Sequence, residues 1–165
     1  MRIAITGVPA GAEPMTLSQR LLDLGISLPR ATVPLGSYVP ARRAGDLLHL
    51  SGHLAKRDGT VVTGRVGAEI DVEAARLLAR QVALDLVATA AEAAGGVDAL
   101  SGVVKLVGLV RSAPGFDQQP AVINGASDLL VEIFGEPGRH ARSAFGVSEL
   151  PLGAAIEIEA IFELA

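Results

Sequence analysis

Apolar residues recur at helical spacing in three stretches of the chain, and this pattern predicts three helices. The first is short and amphipathic and ends at Gly25. The second and longest begins after Asp71, a residue type that caps helix N-termini, and stops at Gly95. The third begins near Asp117 and ends at Gly135. The three apolar stripes consist of Leu17, Leu21, Leu22 and Leu24, of Leu78, Val82, Leu86 and Ala90, and of Val122, Ala126, Leu129, Leu130 and Ile133.

Alternating apolar and polar residues predict strands between these helices. The segment DLLHLSGHLA, residues 46–55, predicts one half-buried strand with His49, Ser51 and His53 on its polar side. The next segment, KRDGTVV (residues 56–62), predicts a hairpin because an Asp-Gly pair fits a tight two-residue turn.

The last segment of the chain, HARSAFGVSELPLGAAIEIEAIFEL at 140–164, reads as two strands joined by a Pro/Gly turn. If they pair as a hairpin, Phe145 lies opposite Ile158 and Val147 lies opposite Ile156. These bulky apolar side chains would then face the helices, and every second residue would lie on the opposite face of the sheet.

That opposite face is predicted to carry Arg142 and Glu157, about 13 Å apart along the strands, which is too far for a simple ion pair. A sheet face that is too polar for a dry core and too apolar for water usually meets another subunit. We therefore expect a homo-oligomer with sites at its interfaces. The other polar residues expected on this face are His49, Ser51, His53 and Lys105.

The order of elements predicts an α+β sandwich, in which a sheet carries helices on one face. Residues 102–110, apolar on both sides except at Lys105, are expected to form a central strand that is covered on both sides. We assign residues 1–14 to an N-terminal extension and residues 15–165 to a single domain.

Composition narrows the range of functions. The net charge is -4 and only 3% of residues are aromatic, which disfavours a nucleic-acid surface. The chain has no cysteine, so thiol catalysis and disulfides are excluded. It also lacks a run of about 20 apolar residues and a signal-peptide pattern, so we expect a cytoplasmic protein without a membrane span.

Four segments together resemble the Rid family of reactive intermediate deaminases, also called the YjgF family or endoribonuclease L-PSP. The resemblance runs from about Met15 to the end of the chain. It implies a chorismate-mutase-like fold with a mixed sheet and two long helices on one face, packed as a homotrimer with three sites between subunits. The four segments are GSYVPARRAGDLLHLSGHL (36–54), AAEAAGGVDALSGVVKLVGLV (90–110), INGASDLLVEIFG (123–135) and HARSAFGVSELPLGAAIEIEAIF (140–162).

The resemblance implies hydrolysis of enamine and imine intermediates to 2-oxo acids and ammonia, without a metal or cofactor. Arg142 matches the arginine that binds the substrate carboxylate, which its planar group can hold with two parallel hydrogen bonds. Glu157 matches the glutamate near the attacking water, Tyr38 the aromatic residue at the cleft entrance, and Asn124 the helix asparagine. The alternative for Arg142 is a structural bond to carbonyls or to an acidic residue of a neighbouring subunit, and for Glu157 it is simple exposure to solvent. For Tyr38 the alternative is packing, and for Asn124 it is capping or bonding between subunits.

Two further residues complete the expected site. Ser143 follows the arginine, and His53 stands where the best-known deaminases have glutamine. A hydrogen-bonded core histidine is the alternative for His53, and its distance of about 13 Å along a strand from His49 makes a metal chelate improbable. Ala144 replaces the family cysteine.

Two other functions remain open at this point. The protein could be a non-catalytic trimer that senses small carboxylates, which the departures at Ala144 and His53 favour. It could also be an endoribonuclease, a label that the family bears and that the low basic and aromatic content disfavours.

Overall fold

A computed structural model describes residues 15–31 and 36–165, so the predicted extension at 1–14 lies outside the described residues. Within these described residues, three α-helices and eight strands follow one another. They are α1 (Leu17–Asp23), β1 (Ala41–Ala44), β2 (Leu47–Leu50), β3 (His53–Leu54), β4 (Lys56–Arg57), β5 (Thr60–Val61), α2 (Val72–Ala94), β6 (Leu100–Arg111), α3 (Gln119–Phe134), β7 (Ala141–Val147) and β8 (Ile156–Leu164).

The three predicted helices and the predicted short hairpin are confirmed. Asp71 caps α2 by accepting a hydrogen bond from the backbone N–H of Ala74, and Gly95 ends that helix in the left-handed conformation with φ 86°. The turn between β4 and β5 consists of Asp58 and Gly59, both at positive φ, as a tight hairpin turn requires.

The main sheet is mixed and has the strand order β1-β2-β8-β6-β7, with β3 also paired to β8. Strand β6 lies between β8, to which it is antiparallel, and β7, to which it is parallel. Its central position confirms that residues 102–110 form a central strand, but the described elements cover only one side of it, not both. The α+β class with a mixed sheet is therefore confirmed.

The predicted terminal hairpin is wrong. β7 and β8 do not pair, because β6 lies between them, and β7 pairs with β6 in parallel instead. With this partner, each side chain of β7 lies on the sheet face opposite to the predicted one. Arg142 pairs with the buried Leu106 and therefore lies on the helix-covered face, whereas Phe145 lies on the opposite face and is 46% exposed.

The predicted continuous strand at 46–55 is also interrupted. His49 pairs with Ile161 and His53 pairs with Ile158, so four steps along one strand match three steps along its partner. This extra residue is a β-bulge, and it reverses which residues face inward. His53 is therefore buried, at 6% exposure, rather than lying on the polar side with His49.

Helices α2 and α3 cover one face of the sheet and enclose the core. They approach each other closely at Gly125, where a Cβ atom would collide with the backbone oxygen of Arg76. Strand and helix also meet closely at Gly108, beneath the side chain of Ile123. The core is formed mainly by residues of these helices and of β6 and β8, including Leu86, Leu106, Ile123, Leu129, Leu130, Ile133, Ile156, Ile158 and Phe162.

The other face of the sheet, which we call the open face, is not covered by any element within residues 15–31 and 36–165. It combines partly exposed apolar side chains with charged ones, as the sequence predicts, but its membership differs because Arg142 and His53 lie on the helix-covered face. The open face carries His49, Lys105, Val107, Leu109, Ser143, Phe145, Glu157, Glu159 and Ile161.

Candidate functional site

Arg142 lies on the edge strand β7, and α3 holds its guanidinium. Nη1 of Arg142 donates to Oδ1 of Asn124 at 2.7 Å and to Oγ of Ser127 at 3.1 Å. Asn124 and Ser127 are three residues apart on α3 and so share one helix face. The structure therefore brings two predicted site residues, Arg142 and Asn124, into direct contact.

Arg142 lines a cleft of about 280 Å³ between α3 and β7. Other charged groups in this cleft already have partners: Asp128 pairs with Arg76 at 2.6 Å, and Arg139 pairs with Glu136 at 2.9 Å. Among the described residues, no carboxylate forms an ion pair with Arg142. A half-buried guanidinium in this position has donors to offer to a small anion.

Glu157 lies on the open face and is half-buried. Its carboxyl group packs over the backbone of Gly52, in space that a side chain at Gly52 would occupy. Burial raises the pKa of Glu157 above its ordinary value, and the neighbouring Glu159 raises it further. A carboxylate with a raised pKa is a better proton acceptor near neutral pH.

Tyr38 belongs to a segment that runs beside the same bulge. Ser51 donates from its backbone N–H to the carbonyl of Pro40 at 3.0 Å and from its hydroxyl to the carbonyl of Val39 at 2.7 Å. These bonds hold the residues that follow Tyr38 against Ser51, and Tyr38 itself is 51% exposed.

Within one protomer, Arg142 and Glu157 cannot contact the same small molecule. Glu157 lies on β8, two strands away from β7, and pairs with Leu109 of β6. Leu109 pairs in turn with Phe145, three residues from Arg142 on β7. The Cα atoms of Arg142 and Glu157 are therefore about 14 Å apart. The two side chains also project from opposite faces of the sheet. Their predicted placement on one face is wrong, because that prediction rested on the hairpin.

Two other predicted site residues lie elsewhere. The Ser143 side chain is on the open face, where its hydroxyl accepts a hydrogen bond from Nζ of Lys105 at 3.3 Å, so it does not accompany Arg142. His53 is a core histidine: its ring contacts the carbonyl of Ser51 at 2.8 Å and the hydroxyl of Thr89 at 2.9 Å. These contacts support the alternative stated for His53, a hydrogen-bonded core histidine.

The buried His53 makes stability depend on pH. Burial lowers the pKa of His53, although the carbonyl of Ser51 and nearby Asp85 oppose this effect. The unfolded ring, with a pKa of about 6.5, binds a proton first as pH falls. We therefore expect the contribution of His53 to the free energy of unfolding to be complete above that pH and to be lost toward pH 5. The limiting slope for one proton is about 1.4 kcal/mol per pH unit. Urea unfolding at pH 7.5 and 5.5 should show this decrease, and a smaller one for His53→Gln; equal decreases would contradict it.

Sequence reasoning missed Ser127 and the role of Gly52. The three-residue spacing of Ser127 from Asn124 is a signal that could have identified it, because both then face the same strand. The contact between Gly52 and Glu157 depends on strand pairing and has no local signal.

Across 15–31 and 36–165, no group of three or more His, Cys, Asp or Glu residues is arranged to hold a metal ion. No helix in these ranges has the length and apolar character needed to cross a membrane.

Known proteins resemble the chain over most of its length. Protein TCP17 of Trypanosoma cruzi is 45% identical over 150 residues, which cover 90% of this chain and 94% of that protein. The 2-iminobutanoate/2-iminopropanoate deaminase of Dermatophagoides farinae is 34% identical over 138 residues, covering 82% and 92%. The crystal structure of Atu1372 from Agrobacterium tumefaciens, a protein of unknown function, matches with a TM-score of 0.81 and 42% identity, covering 90% of this chain and 92% of the other.

A protein-family model assigns the chain to a family. The model of the YjgF/chorismate mutase-like endoribonuclease family matches residues 18–164, almost the whole described chain. The fold, the Arg142 strand and the Glu157 strand all lie within this match. The chain therefore belongs to the YjgF family, also called the Rid family.

Proposed function

We propose that the protein is a homotrimeric hydrolase of enamine and imine intermediates, which releases 2-oxo acids and ammonia at clefts between subunits. The observation that carries the proposal is the arrangement of Arg142 and Glu157. One offers hydrogen-bond donors at a sheet edge, the other offers a carboxylate of raised pKa, and they point to opposite faces. A relative that is 34% identical is named as a 2-iminobutanoate/2-iminopropanoate deaminase, which supports the substrate class.

Association of protomers would bring the two groups together. A cleft that combines Arg142 of one copy with Glu157 of a neighbouring copy contains both an anion-binding group and a base, which one protomer lacks. The open face supports association, because Phe145 is 46% exposed and Val107, Leu109 and Ile161 are only partly buried. Closed rotational symmetry is the usual outcome when identical surfaces of this kind assemble.

The chemistry needs a held substrate and an activated water. Arg142 binds the carboxylate of a 2-imino acid and so fixes the position of the imine carbon. Water adds to this carbon as Glu157 accepts one of its protons, and the electron pair of the C=N bond moves to nitrogen, which takes up that proton from Glu157. In the resulting carbinolamine, Glu157 takes the hydroxyl proton and passes it to the nitrogen. The oxygen electron pair then forms the C=O bond of the 2-oxo acid as the C–N bond breaks and ammonia leaves.

Replacing Glu157 by glutamine tests this mechanism. We expect kcat to fall by about 10²- to 10⁴-fold with little change in KM, since the amide occupies the same space but cannot accept a proton. The assay measures ammonia release from 2-iminobutanoate generated in situ by an amino-acid oxidase. Glu159→Gln is the matched control, because Glu159 lies two residues further along the same face and is exposed. Wild-type turnover in Glu157→Gln, or equal losses in both variants, would contradict the assignment.

The same assay separates the alternatives. A carboxylate sensor would bind 2-oxobutyrate in calorimetry without releasing ammonia from any imine, an outcome consistent with the inert side chain of Ala144 two residues after Arg142. An endoribonuclease, which the family description names, would cleave single-stranded RNA as highly purified protein.

A further inference from the structure

Nη1 of Arg142 is fully occupied by α3. A guanidinium Nη atom carries two hydrogens, and here one is donated to Oδ1 of Asn124 and the other to Oγ of Ser127, at 2.7 Å and 3.1 Å. The hydrogens of Nε and Nη2 point along the other edge, and this edge has the parallel geometry that matches a carboxylate. The bonds to α3 therefore determine which edge of Arg142 is left for a ligand.

The Ser127 hydroxyl is itself oriented by His140. Nδ1 of His140 lies 2.7 Å from the carbonyl oxygen of Gly138, and a carbonyl can only accept, so Nδ1 carries the hydrogen. In the neutral ring, Nε2 is then an acceptor. It lies 3.0 Å from Oγ of Ser127, which must donate its hydrogen to Nε2.

These contacts form a chain with one direction. Arg142 donates to Ser127, Ser127 donates to His140, and His140 donates to the Gly138 carbonyl. With its hydrogen directed at His140, the Ser127 oxygen presents its lone pairs to Arg142. Burial lowers the pKa of His140, and the positive charge of Arg142 also lowers it, whereas the hydrogen bond to Gly138 raises it. Because the net effect lowers the pKa, the ring is neutral near pH 7.

We propose that Ser127 and His140 are positioning residues that fix the Arg142 guanidinium so that its Nε/Nη2 edge receives the carboxylate of the ligand. This inference rests on the proposed function of Arg142 as the anion-binding residue. Neither Ser127 nor His140 contacts the ligand. Each acts through the orientation of Arg142.

Conservative and disruptive variants at both positions test the proposal at pH 8, where His140 is neutral. We expect Ser127→Ala to weaken binding of 2-oxobutyrate by about two- to tenfold in calorimetry, the typical effect of losing one hydrogen bond. Ser127→Thr retains the hydroxyl and should restore affinity. His140→Phe removes the acceptor and should resemble Ser127→Ala, whereas His140→Gln supplies an amide oxygen near Nε2 and should bind like wild type.

Kinetics and NMR separate positioning from a structural role. For imine hydrolysis, we expect Ser127→Ala to raise KM by the same factor with nearly unchanged kcat, because only ligand orientation changes. Independently of any ligand, ¹⁵N NMR of the wild-type protein should show His140 as the Nδ1–H tautomer, its signal identified by loss in His140→Gln. The chain has only three histidines, which simplifies the assignment.

The failure of this proposal differs from the failure of the proposed function. If Arg142→Ala loses binding while Ser127→Ala and His140→Phe bind like wild type, the positioning role is overturned and the anion-binding role of Arg142 remains. Failure of Ser127→Thr to restore affinity also overturns it. Should Ser127→Ala not fold, the tautomer decides: an Nε2–H ring at His140 in the wild-type protein overturns the proposal.

Discussion

Arg142→Ala is expected to lose binding of 2-oxobutyrate by at least about 100-fold and to lose imine hydrolysis with it. The free Nε/Nη2 edge offers two parallel charge-assisted hydrogen bonds, each of which contributes about 1.5–3 kcal/mol. Asn124 and Ser127 already occupy Nη1, so the guanidinium needs no large rearrangement to receive a carboxylate. Isothermal titration calorimetry measures the loss directly.

Two control variants test whether binding depends on the planar geometry and the position of Arg142 rather than on positive charge alone. Arg142→Lys keeps the positive charge but not the planar pair of donors, so we expect it to bind about tenfold or more weakly than wild type. Arg139→Ala removes the other arginine that lines the same cleft, one already paired with Glu136, and should leave affinity nearly unchanged. Full activity in Arg142→Ala, or equal losses in Arg139→Ala, would refute the anion-binding role.

Local signals in the sequence were sufficient for the helices. The caps and breaks at Asp71, Gly95 and Gly135 depend on backbone conformations of single residues, and apolar spacing identifies the buried stripes. The Asp58-Gly59 turn is equally local. Residues whose environment is set by their immediate neighbours could therefore be assigned without a structure.

Strand pairing could not be read in the same way. β7 and β8 are adjacent in sequence and joined by a short turn, and adjacent strands usually pair. Here β6 pairs with both, through contacts with residues more than 30 positions away in sequence, as in the pair of Leu106 with Arg142. Because side chains alternate between faces, this change in partner moved Arg142 to the helix-covered face.

A single extra residue had a similar effect on His53. The alternating pattern of residues 46–55 continues through Ser51 and Gly52 without a visible break. Only the pairing with β8 reveals the bulge, and the bulge exchanges the two faces beyond it. The resemblance to the family assigned both Arg142 and Asn124 to the expected site, and in the structure the two side chains form a hydrogen bond.

A cleft shared between subunits predicts that activity returns when two different inactive variants are mixed. If each cleft uses Arg142 of one copy and Glu157 of the next, two inactive variants should restore activity when combined. After co-refolding equal amounts of Arg142→Ala and Glu157→Gln, we expect about one quarter of the clefts to be intact, since each cleft needs one copy of each variant in a fixed order. Sedimentation of the mixture should report a trimer.

A second mixture distinguishes shared clefts from sites within one copy. Wild-type protein co-refolded with equal amounts of the Arg142→Ala/Glu157→Gln double variant should retain about one quarter of full activity if two copies share each cleft, but about one half if each copy holds its own site. Sites within one copy also predict no recovery in the first mixture. That pair of results would contradict the shared cleft, and it would require Arg142 and Glu157 to act together despite a separation of about 14 Å across the sheet.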